Sequence, residues 1–226
     1  MAFLSDERKE EFVEEYLPYI KKYFWVILIG LVAGIYFFFS WWNSWWYIEN
    51  FPSHGTDVIA FGDSLVVGVG STPGNDFVSL LAYRFNTPII NAGVSGDTTA
   101  QALNRLHNLG IFQSPKVVIV LLGGNDYLQR IPKQETFNNL STIVKEIQAH
   151  GAAVLLLGVR GGVITDVYDE EFRNLAKRLH AAFVPNVLDG LLGNSDLMSD
   201  GIHPNDKGYK IIADKVTPVL KKLLRE

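Results

Sequence analysis

Four short polar clusters in this sequence carry residue types that together could perform nucleophilic catalysis. Ser64 follows an apolar run and the pair Gly62-Asp63, and its hydroxyl is the candidate nucleophile. A serine hydroxyl is a weak nucleophile and needs an adjacent base to take its proton. His203 is the candidate base, and Asp200 lies three residues before it, where its carboxylate could hold the imidazole. This combination predicts attack of a serine on an acyl carbonyl.

Such an attack also needs hydrogen-bond donors for the oxyanion of the tetrahedral intermediate. The candidate donors are the backbone N–H groups of Ser64 and Gly96 and the side-chain amide of Asn125. Each cluster taken alone is also ordinary turn sequence, because Gly, Asn, Asp and Ser are common turn formers. Gly93 is interpreted as a backbone position that requires a positive φ. Three aspartates are predicted to hold loops in place instead of catalysing: Asp63, Asp97 and Asp126.

The other histidines are weaker candidates for the base. One lies in a polar linker and the rest lie within patterns of helical periodicity: His54, His107, His150 and His180. A metal hydrolase could use Asp200 and His203, but no further His and Asp cluster shows the spacing of metal ligands. The predicted chemistry therefore requires no metal and no organic cofactor.

The elements that would position these clusters are alternating strands and helices. Apolar runs predict strands over residues 58–61, 89–91, 117–122, 154–157 and 183–188. Helical periodicity predicts helices over residues 76–85, 98–109, 134–150, 169–182 and 206–224. This alternation is typical of a parallel sheet covered by helices on both faces. The first three polar clusters follow the first three strands, and the Asp200–His203 cluster precedes the last helix. Because parallel strands end at one edge of a sheet, we expect the clusters to converge there.

The N-terminal quarter of the chain has a different character. Residues 23–42 form a run without charged side chains, and this run is long enough to span the core of a bilayer. Four tryptophans follow or end this run, as is typical of the membrane–water interface: Trp41, Trp42, Trp45 and Trp46. Lys21 and Lys22 precede it, and no Lys or Arg follows before Arg84, so the positive-inside rule predicts a cytoplasmic N-terminus.

This pattern predicts four segments along the chain. Residues 1–22 are a cytoplasmic segment, 23–42 an uncleaved transmembrane signal anchor, 43–56 an interfacial linker, and 57–226 the catalytic domain. The domain would then lie outside the cytoplasm at the cell membrane, which is the periplasmic side in a Gram-negative bacterium. The alternatives are a cleaved signal peptide, for which the end of the run is a poor cleavage site, and a buried core helix.

Composition excludes several further classes of function. The chain has a formal net charge of −4 with both signs dispersed, so no nucleic-acid-binding surface is indicated. It contains no cysteine, which excludes disulfides and thiol catalysis. Val66 stands where the Gly-x-Ser-x-Gly elbow of α/β-hydrolases requires its last glycine.

Together the four clusters resemble the blocks of the SGNH/GDSL hydrolase family. They are Phe61-Gly-Asp-Ser-Leu65, Val94-Ser-Gly-Asp-Thr98, Gly123-Gly-Asn-Asp126 and Asp200-Gly-Ile-His-Pro204, in the family's order. The form of the second and third blocks is most similar to the bacterial acyl-thioesterase, arylesterase and lysophospholipase branch. The resemblance implies a flavodoxin-like three-layer α/β/α sandwich with a five-stranded parallel sheet. It also implies a Ser64, Asp200 and His203 triad and an oxyanion hole of Ser64, Gly96 and Asn125.

The substrate is open at this level. A membrane anchor favours a lipid-derived acyl ester, such as a lysophospholipid, as the substrate. Four apolar residues before the last cluster could either line an acyl pocket or belong to the hydrophobic core: Leu191, Leu192, Leu197 and Met198. The alternative enzyme is an O-acetyl esterase of cell-envelope polysaccharide, which would need a shallow polar groove. A non-catalytic binding module would not need a nucleophile, a base, an acid and three oxyanion donors together.

Overall fold

A computed structural model of the protein describes residues 16, 18, 22–26, 28–35, 47–106, 110, 114–159 and 168–225. The chain divides into two units, Met1–Tyr47 and Ile48–Glu226. In the first unit, residues 22–26 and 28–35 are helical. Over the part of the chain that is described, no helix has both the length and the apolar character needed to cross a membrane. Most of the predicted cytoplasmic segment 1–22, and residues 27 and 36–42 of the predicted anchor, lie outside the described residues.

The second unit is built on five parallel strands in the order β2-β1-β3-β4-β5. They are β1 (Asp57–Gly62), β2 (Ile89–Gly93), β3 (Pro115–Leu121), β4 (Ala153–Leu157) and β5 (Ala182–Val184). This order is the doubly wound arrangement of flavodoxin-like folds. The predicted five-stranded parallel sheet is confirmed. β5 is shorter than predicted and begins at the residue where the preceding helix was expected to end.

Seven helices accompany the sheet in the described part of this unit. They are α1 (Ser64–Val67), α2 (Phe77–Phe85), α3 (Thr99–Leu106), α4 (Gly124–Leu128), α5 (Lys133–Ala149), α6 (Asp169–Arg178) and α7 (Asp206–Leu224). The two short helices α1 and α4 are absent from the sequence prediction, because four or five residues are too few to show helical periodicity. The start of α3 is closed by Thr98, whose backbone N–H donates to Oε1 of Gln101 at 2.9 Å.

The helices form two groups around the sheet. α2 packs against α7, while α3 packs against α5 and α5 against α6. The central strands β1, β3 and β4 are almost wholly buried, which explains their unbroken apolar sequences. Their β-branched and leucine side chains form the centre of one continuous hydrophobic core.

The strand register brings the first three polar clusters to one edge of the sheet. Gly62, the last residue of β1, pairs with Gly93 of β2 on one side and with Leu121 of β3 on the other. The segments that carry Ser64, Gly96 and Asn125 therefore all begin at the same level of the sheet.

The residues before β1 belong to the second unit and not to a free linker. The Asn50 side chain donates to the carbonyls of Gln148 and Ala152 at 2.7 and 3.1 Å. The Ser53 hydroxyl donates to the carbonyl of Gly151 at 3.0 Å. Within the predicted linker 43–56, residues 48–56 are thus attached to the domain, which begins earlier than the predicted residue 57.

Candidate active site

Ser64 is the first residue of α1, directly after the carboxyl end of β1. Asp63 caps this helix, because its Oδ1 accepts from the backbone N–H of Leu65 at 3.0 Å. A Cβ atom at Gly62 would collide with the backbone carbonyl of Leu121 and the side chain of Val66. The turn that presents the serine therefore requires glycine at this position.

A series of hydrogen bonds links Ser64 to His203 and Asp200. Nε2 of His203 lies 3.0 Å from Oγ of Ser64, and Nδ1 lies 2.7 Å from Oδ2 of Asp200. An ionised carboxylate only accepts hydrogen bonds, so Nδ1 donates to Asp200 and Nε2 is left to accept from the serine hydroxyl. In this tautomer the imidazole is oriented to take the serine proton.

Asp200 is held as an anion by local contacts although its side chain is half exposed. Its Oδ1 accepts from the backbone N–H groups of Ile202 and His203 at 2.8 and 2.7 Å. The hydrogen bond from the His203 side chain, helped by these two, lowers the pKa of Asp200 to about 2. The acceptor for His203 is therefore ionised throughout the neutral range.

The loop that carries Asp200 and His203 is closed at its base. The backbone N–H of Ser199 donates to the carbonyl of His203 at 2.9 Å, and Met198 forms a β-bridge with Pro204. The next residue, Asn205, caps α7 by accepting from the backbone N–H groups of Lys207 and Gly208. The base is thus fixed between a closed turn and a helix start.

The three predicted oxyanion donors lie on the segments that follow β1, β2 and β3 at one edge of the sheet. Asn125 lies on α4. Its Nδ2 donates to the carbonyl of Asp97 at 2.9 Å and lies 3.5 Å from Oδ2 of Asp63, at the outer limit of a hydrogen bond, so its second N–H is only weakly bound. Gly96 has a φ of +85°, a conformation that side-chain-bearing residues rarely adopt. Among the described residues, the backbone N–H groups of Ser64 and Gly96 donate to no protein acceptor. Three donors are therefore available.

Gly93 departs from the prediction that it needs a positive φ. It is not among the residues with positive φ, so that interpretation is wrong. A Cβ atom there would lie 2.6 Å from the backbone nitrogen of Val67 and 3.0 Å from the carbonyl oxygen of Asp63. Close approach of α1 to the end of β2 requires glycine at this position, and pattern alone does not distinguish the two causes.

Asp63 is almost completely buried, with 2% of its surface exposed. Burial raises the pKa of this carboxyl to about 7, against the lowering effect of its hydrogen bond from the Leu65 backbone. Its Oδ2 lies 3.5 Å from Nδ2 of Asn125, at the outer limit of a hydrogen bond. Asp63 thus supports the turn that carries Ser64.

Asp126 and Asp97 fix the loops that carry Asn125 and Gly96. The Asp126 carboxylate, which is fully buried, accepts from the backbone N–H of Thr99 at 2.9 Å and from its hydroxyl at 2.5 Å. The carboxylate of Asp97 accepts from Nε of Arg105 at 2.6 Å. Both aspartates thus join neighbouring loops, as predicted for residues that pin the backbone.

A pocket of about 320 Å³ opens beside Ser64 and His203. Most of the side chains that line it are apolar: Leu65, Tyr127, Leu128, Val159, Leu188, Leu192 and Ile202. Of the four apolar residues proposed from sequence as candidates, only Leu192 lines this pocket. Leu191 and Met198 are buried in the core, and Leu197 packs against it. The other lining residues were missed because they come from separate loops with no shared sequence pattern.

No metal centre accompanies these groups in the described part of the chain. Nowhere in those residues do three or more His, Asp or Glu side chains come together in a way that could hold a metal ion. The site consists of a hydroxyl, an imidazole, carboxylates and amide donors.

Known proteins are similar to this chain in sequence and in fold. The family described as "GDSL-like Lipase/Acylhydrolase family" matches residues 60–211. Esterase TesA of Pseudomonas aeruginosa is 32% identical over 178 residues, which cover 74% of this chain and 89% of that protein. Thioesterase 1/protease 1/lysophospholipase L1 of Escherichia coli K12 is 31% identical over 175 residues, covering 74% and 84%. A crystal structure of TesA superposes with a TM-score of 0.68 at 32% identity, over 74% of this chain and 99% of that one.

Proposed function

Because this chain belongs to the GDSL-like lipase/acylhydrolase family and is an ester hydrolase, we propose that it cleaves acyl esters or thioesters through Ser64, His203 and Asp200. The observation that carries the proposal is the unbroken series of hydrogen bonds from the serine hydroxyl to the ionised Asp200. Its relatives are named esterase, thioesterase and lysophospholipase, and these names support cleavage of an ester or thioester bond.

The reaction proceeds in two acyl-transfer steps. Oγ of Ser64 attacks the acyl carbonyl while Nε2 of His203 takes the hydroxyl proton, and Asp200 stabilises the resulting imidazolium. The oxyanion accepts hydrogen bonds from the Ser64 and Gly96 N–H groups and the Asn125 amide. Collapse releases the alcohol or thiol, which takes its proton from His203. A water molecule then attacks the acyl-enzyme while His203 takes its proton, and His203 returns that proton to Oγ of Ser64 as the carboxylic acid leaves.

The pocket supports a substrate with an apolar acyl chain. Its apolar lining adjoins the nucleophile, and burial of each methylene of a chain is favourable by roughly 0.8 kcal/mol. Leu128 and Ile202 at its mouth are themselves exposed, which extends the apolar surface outward. A polysaccharide O-acetyl esterase would need a polar groove here, so the lipid-derived acyl ester is the preferred substrate class.

The proposal includes placement at the outer face of the cell membrane through the N-terminal segment. It rests on the uncharged run 23–42 and the lysines before it. In addition, several apolar side chains of the helical residues 22–26 and 28–35 are exposed, including Trp25, Val26 and Ile29. Such surface is costly in water and favourable in lipid.

Replacing Ser64 tests the chemistry directly. In Ser64→Ala, turnover of p-nitrophenyl butyrate is expected to fall to the background rate, with an unchanged circular dichroism spectrum. Ser141→Ala, on α5 and outside the pocket, is the matched control and should retain wild-type turnover. Wild-type turnover in Ser64→Ala would refute the proposed nucleophile.

A substrate series tests the acyl pocket. The acyl-chain proposal predicts a rise of kcat/KM from p-nitrophenyl acetate to p-nitrophenyl octanoate, and activity on a lysophospholipid. Leu192→Asp, which places a charge in the lining, should reduce the octanoate rate much more than the acetate rate. A strict preference for acetate in the wild type would favour the polysaccharide alternative instead.

Protease treatment of sealed, oriented membrane vesicles tests the placement. Inside-out vesicles should protect the domain 57–226, whereas right-side-out vesicles should expose it. The reverse pattern would contradict the proposed topology.

A further inference from the structure

The three oxyanion donors lie on separate segments that follow β1, β2 and β3, and one arginine makes hydrogen bonds to two of these segments. Arg105, near the end of α3, donates from Nε to the Asp97 carboxylate at 2.6 Å and from Nη2 to the carbonyl of Gly62 at 2.9 Å. Gly62 lies two residues before Ser64, and Asp97 directly follows Gly96. Arg105 therefore joins the serine-bearing loop to the loop of the second donor.

Asp97 extends this connection to the third donor. Its carboxylate binds Arg105, and its backbone carbonyl accepts from Nδ2 of Asn125 at 2.9 Å. The position of the Asn125 amide thus depends on the position of the Asp97 backbone. Gly96 directly precedes Asp97, Asn125 is one hydrogen bond from Asp97, and Ser64 lies two residues after the carbonyl that Arg105 binds.

The guanidinium is itself fixed against the end of β1. It lies over the ring of Phe61 at 4.3 Å from the ring centroid, in the geometry of a cation–π contact. The Gly62 carbonyl also accepts from the backbone N–H of Val94 at 2.9 Å, so the ends of β1 and β2 meet at this one oxygen. Arg105, which lies on α3, donates to the same carbonyl oxygen and so joins α3 to this junction.

We propose that Arg105 is a positioning residue for the oxyanion hole, which holds the Ser64, Gly96 and Asn125 donors in register through Asp97 and the Gly62 carbonyl. The inference rests on the proposed function, because it assigns a role in forming the tetrahedral intermediate. Arg105 does not touch the substrate. It acts through the backbone of the two loops that it joins.

The chemistry of arginine suits this role better than that of lysine. A guanidinium presents donors in a rigid planar fork, so it can hold a carboxylate and a carbonyl at fixed separation, whereas an ammonium is a single flexible point.

The test compares two arginines that make similar ion pairs. Arg84 contacts Asp214 at 2.6 Å and is 26% exposed, whereas Arg105 contacts Asp97 at 2.6 Å and is 20% exposed. Arg84 and its partner connect α2 to α7, and Arg84 also donates to the hydroxyl of Thr217 on α7. Arg84→Met therefore removes a comparable ion pair without touching the oxyanion loops.

We expect Arg105→Met to lower kcat for p-nitrophenyl butyrate by about thirtyfold or more, with KM within about twofold of wild type, because misplaced donors weaken only the transition state. Arg84→Met should keep kcat within about twofold. Arg105→Lys should recover only part of the loss. Measurements are made at a temperature at which circular dichroism shows each variant folded, and Arg105→Lys decides the comparison if Arg105→Met does not fold.

A double-mutant cycle with Asn125→Ala separates positioning from general weakening of the fold. If Arg105 acts through the oxyanion donors, the double variant should lose much less than the product of the two single losses. A kcat for Arg105→Met within threefold of wild type, an equal loss in Arg84→Met, or fully multiplicative losses would each overturn the inference. Ser64→Ala is assayed in parallel: if it stays active, the proposed function fails, whereas if it alone is inactive, only the role of Arg105 fails.

Discussion

The Asp200–His203 loop and the three loops after β1, β2 and β3 meet at Ser64, but different contacts hold them. The first is closed by bonds between near neighbours in sequence, such as those from Ile202 and His203 to Asp200. The others are joined by bonds between residues far apart in sequence, such as that from Arg105 to the carbonyl of Gly62. One half of the site is assembled locally and the other depends on the complete sheet.

The carboxyl groups of the two halves differ accordingly. Asp200 is exposed, and hydrogen bonds lower its pKa to about 2. Asp63 is buried, and desolvation raises its pKa to about 7. The same functional group thus serves in one place as a permanent anion that orients a base and in the other as a support whose charge depends on pH. The proposed catalytic role belongs to the exposed carboxylate, and the structural role belongs to the buried one.

The largest expected effect is on the local half. Asp200→Asn removes the anion that stabilises the imidazolium, and we expect kcat to fall on the order of a thousandfold or more. Because the pKa of Asp200 is about 2, its protonation does not contribute to loss of activity near pH 5 in the wild type. The pH–rate profile of the wild type should therefore show no limb from Asp200 above about pH 3. A near-normal kcat in Asp200→Asn would contradict the proposed role of the Asp200 carboxylate in orienting His203.

The second effect concerns stability in the buried half. The pKa of Asp63 is about 7 in the folded state against an ordinary value of 3.8, so the folded protein binds this proton more tightly than the unfolded chain. Its contribution to stability is complete below about pH 4 and is lost as pH rises through 7, by on the order of 4 kcal/mol. In Asp63→Asn, where the amide oxygen can still cap α1, this loss should be absent.

Urea unfolding from pH 4 to pH 8 measures this difference. The free energy of unfolding of Asp63→Asn should fall less with pH than that of the wild type. Asp196→Asn, which removes an exposed carboxylate, controls for the change in net charge. Parallel curves for wild type and Asp63→Asn would contradict the raised pKa.

The smallest of the three effects tests the long-range half of the chemistry. Asn125→Ala removes one oxyanion donor and should lower kcat by around a hundredfold or more, with little change in KM. Asn138→Ala is the matched control, since Asn138 is exposed on α5 and does not line the pocket. An unchanged kcat in Asn125→Ala would remove it from the site.

The difference between contacts that are local in sequence and contacts that are long-range also determines how much of the site could be predicted from the sequence. The long buried strands were recognisable because β1, β3 and β4 are continuous apolar runs, and their convergence followed from parallel topology. The Asp200–His203 pairing was recognisable because three residues separate its members. The contacts of Arg105 were not, because 43 residues separate it from Gly62 and nothing in the local pattern of α3 marks it.

The remaining differences have similar physical causes. The helices α1 and α4 are too short for periodicity, although they carry Ser64 and Asn125. The role of Gly93 depends on the approach of another segment, which φ preferences do not report. The apolar lining of the pocket comes from separate loops, of which only Leu192 was among the residues proposed from sequence.

The central claim is that Ser64 forms a covalent acyl intermediate, and trapping tests it most directly. Intact-mass spectrometry after reaction with a p-nitrophenyl alkylphosphonate should show a single adduct with loss of p-nitrophenol, and peptide mapping should place it on Ser64. Ser64→Ala should gain no mass, and Asn125→Ala should react more slowly than Asn138→Ala. An adduct on another residue, or the same adduct in Ser64→Ala, would contradict the account.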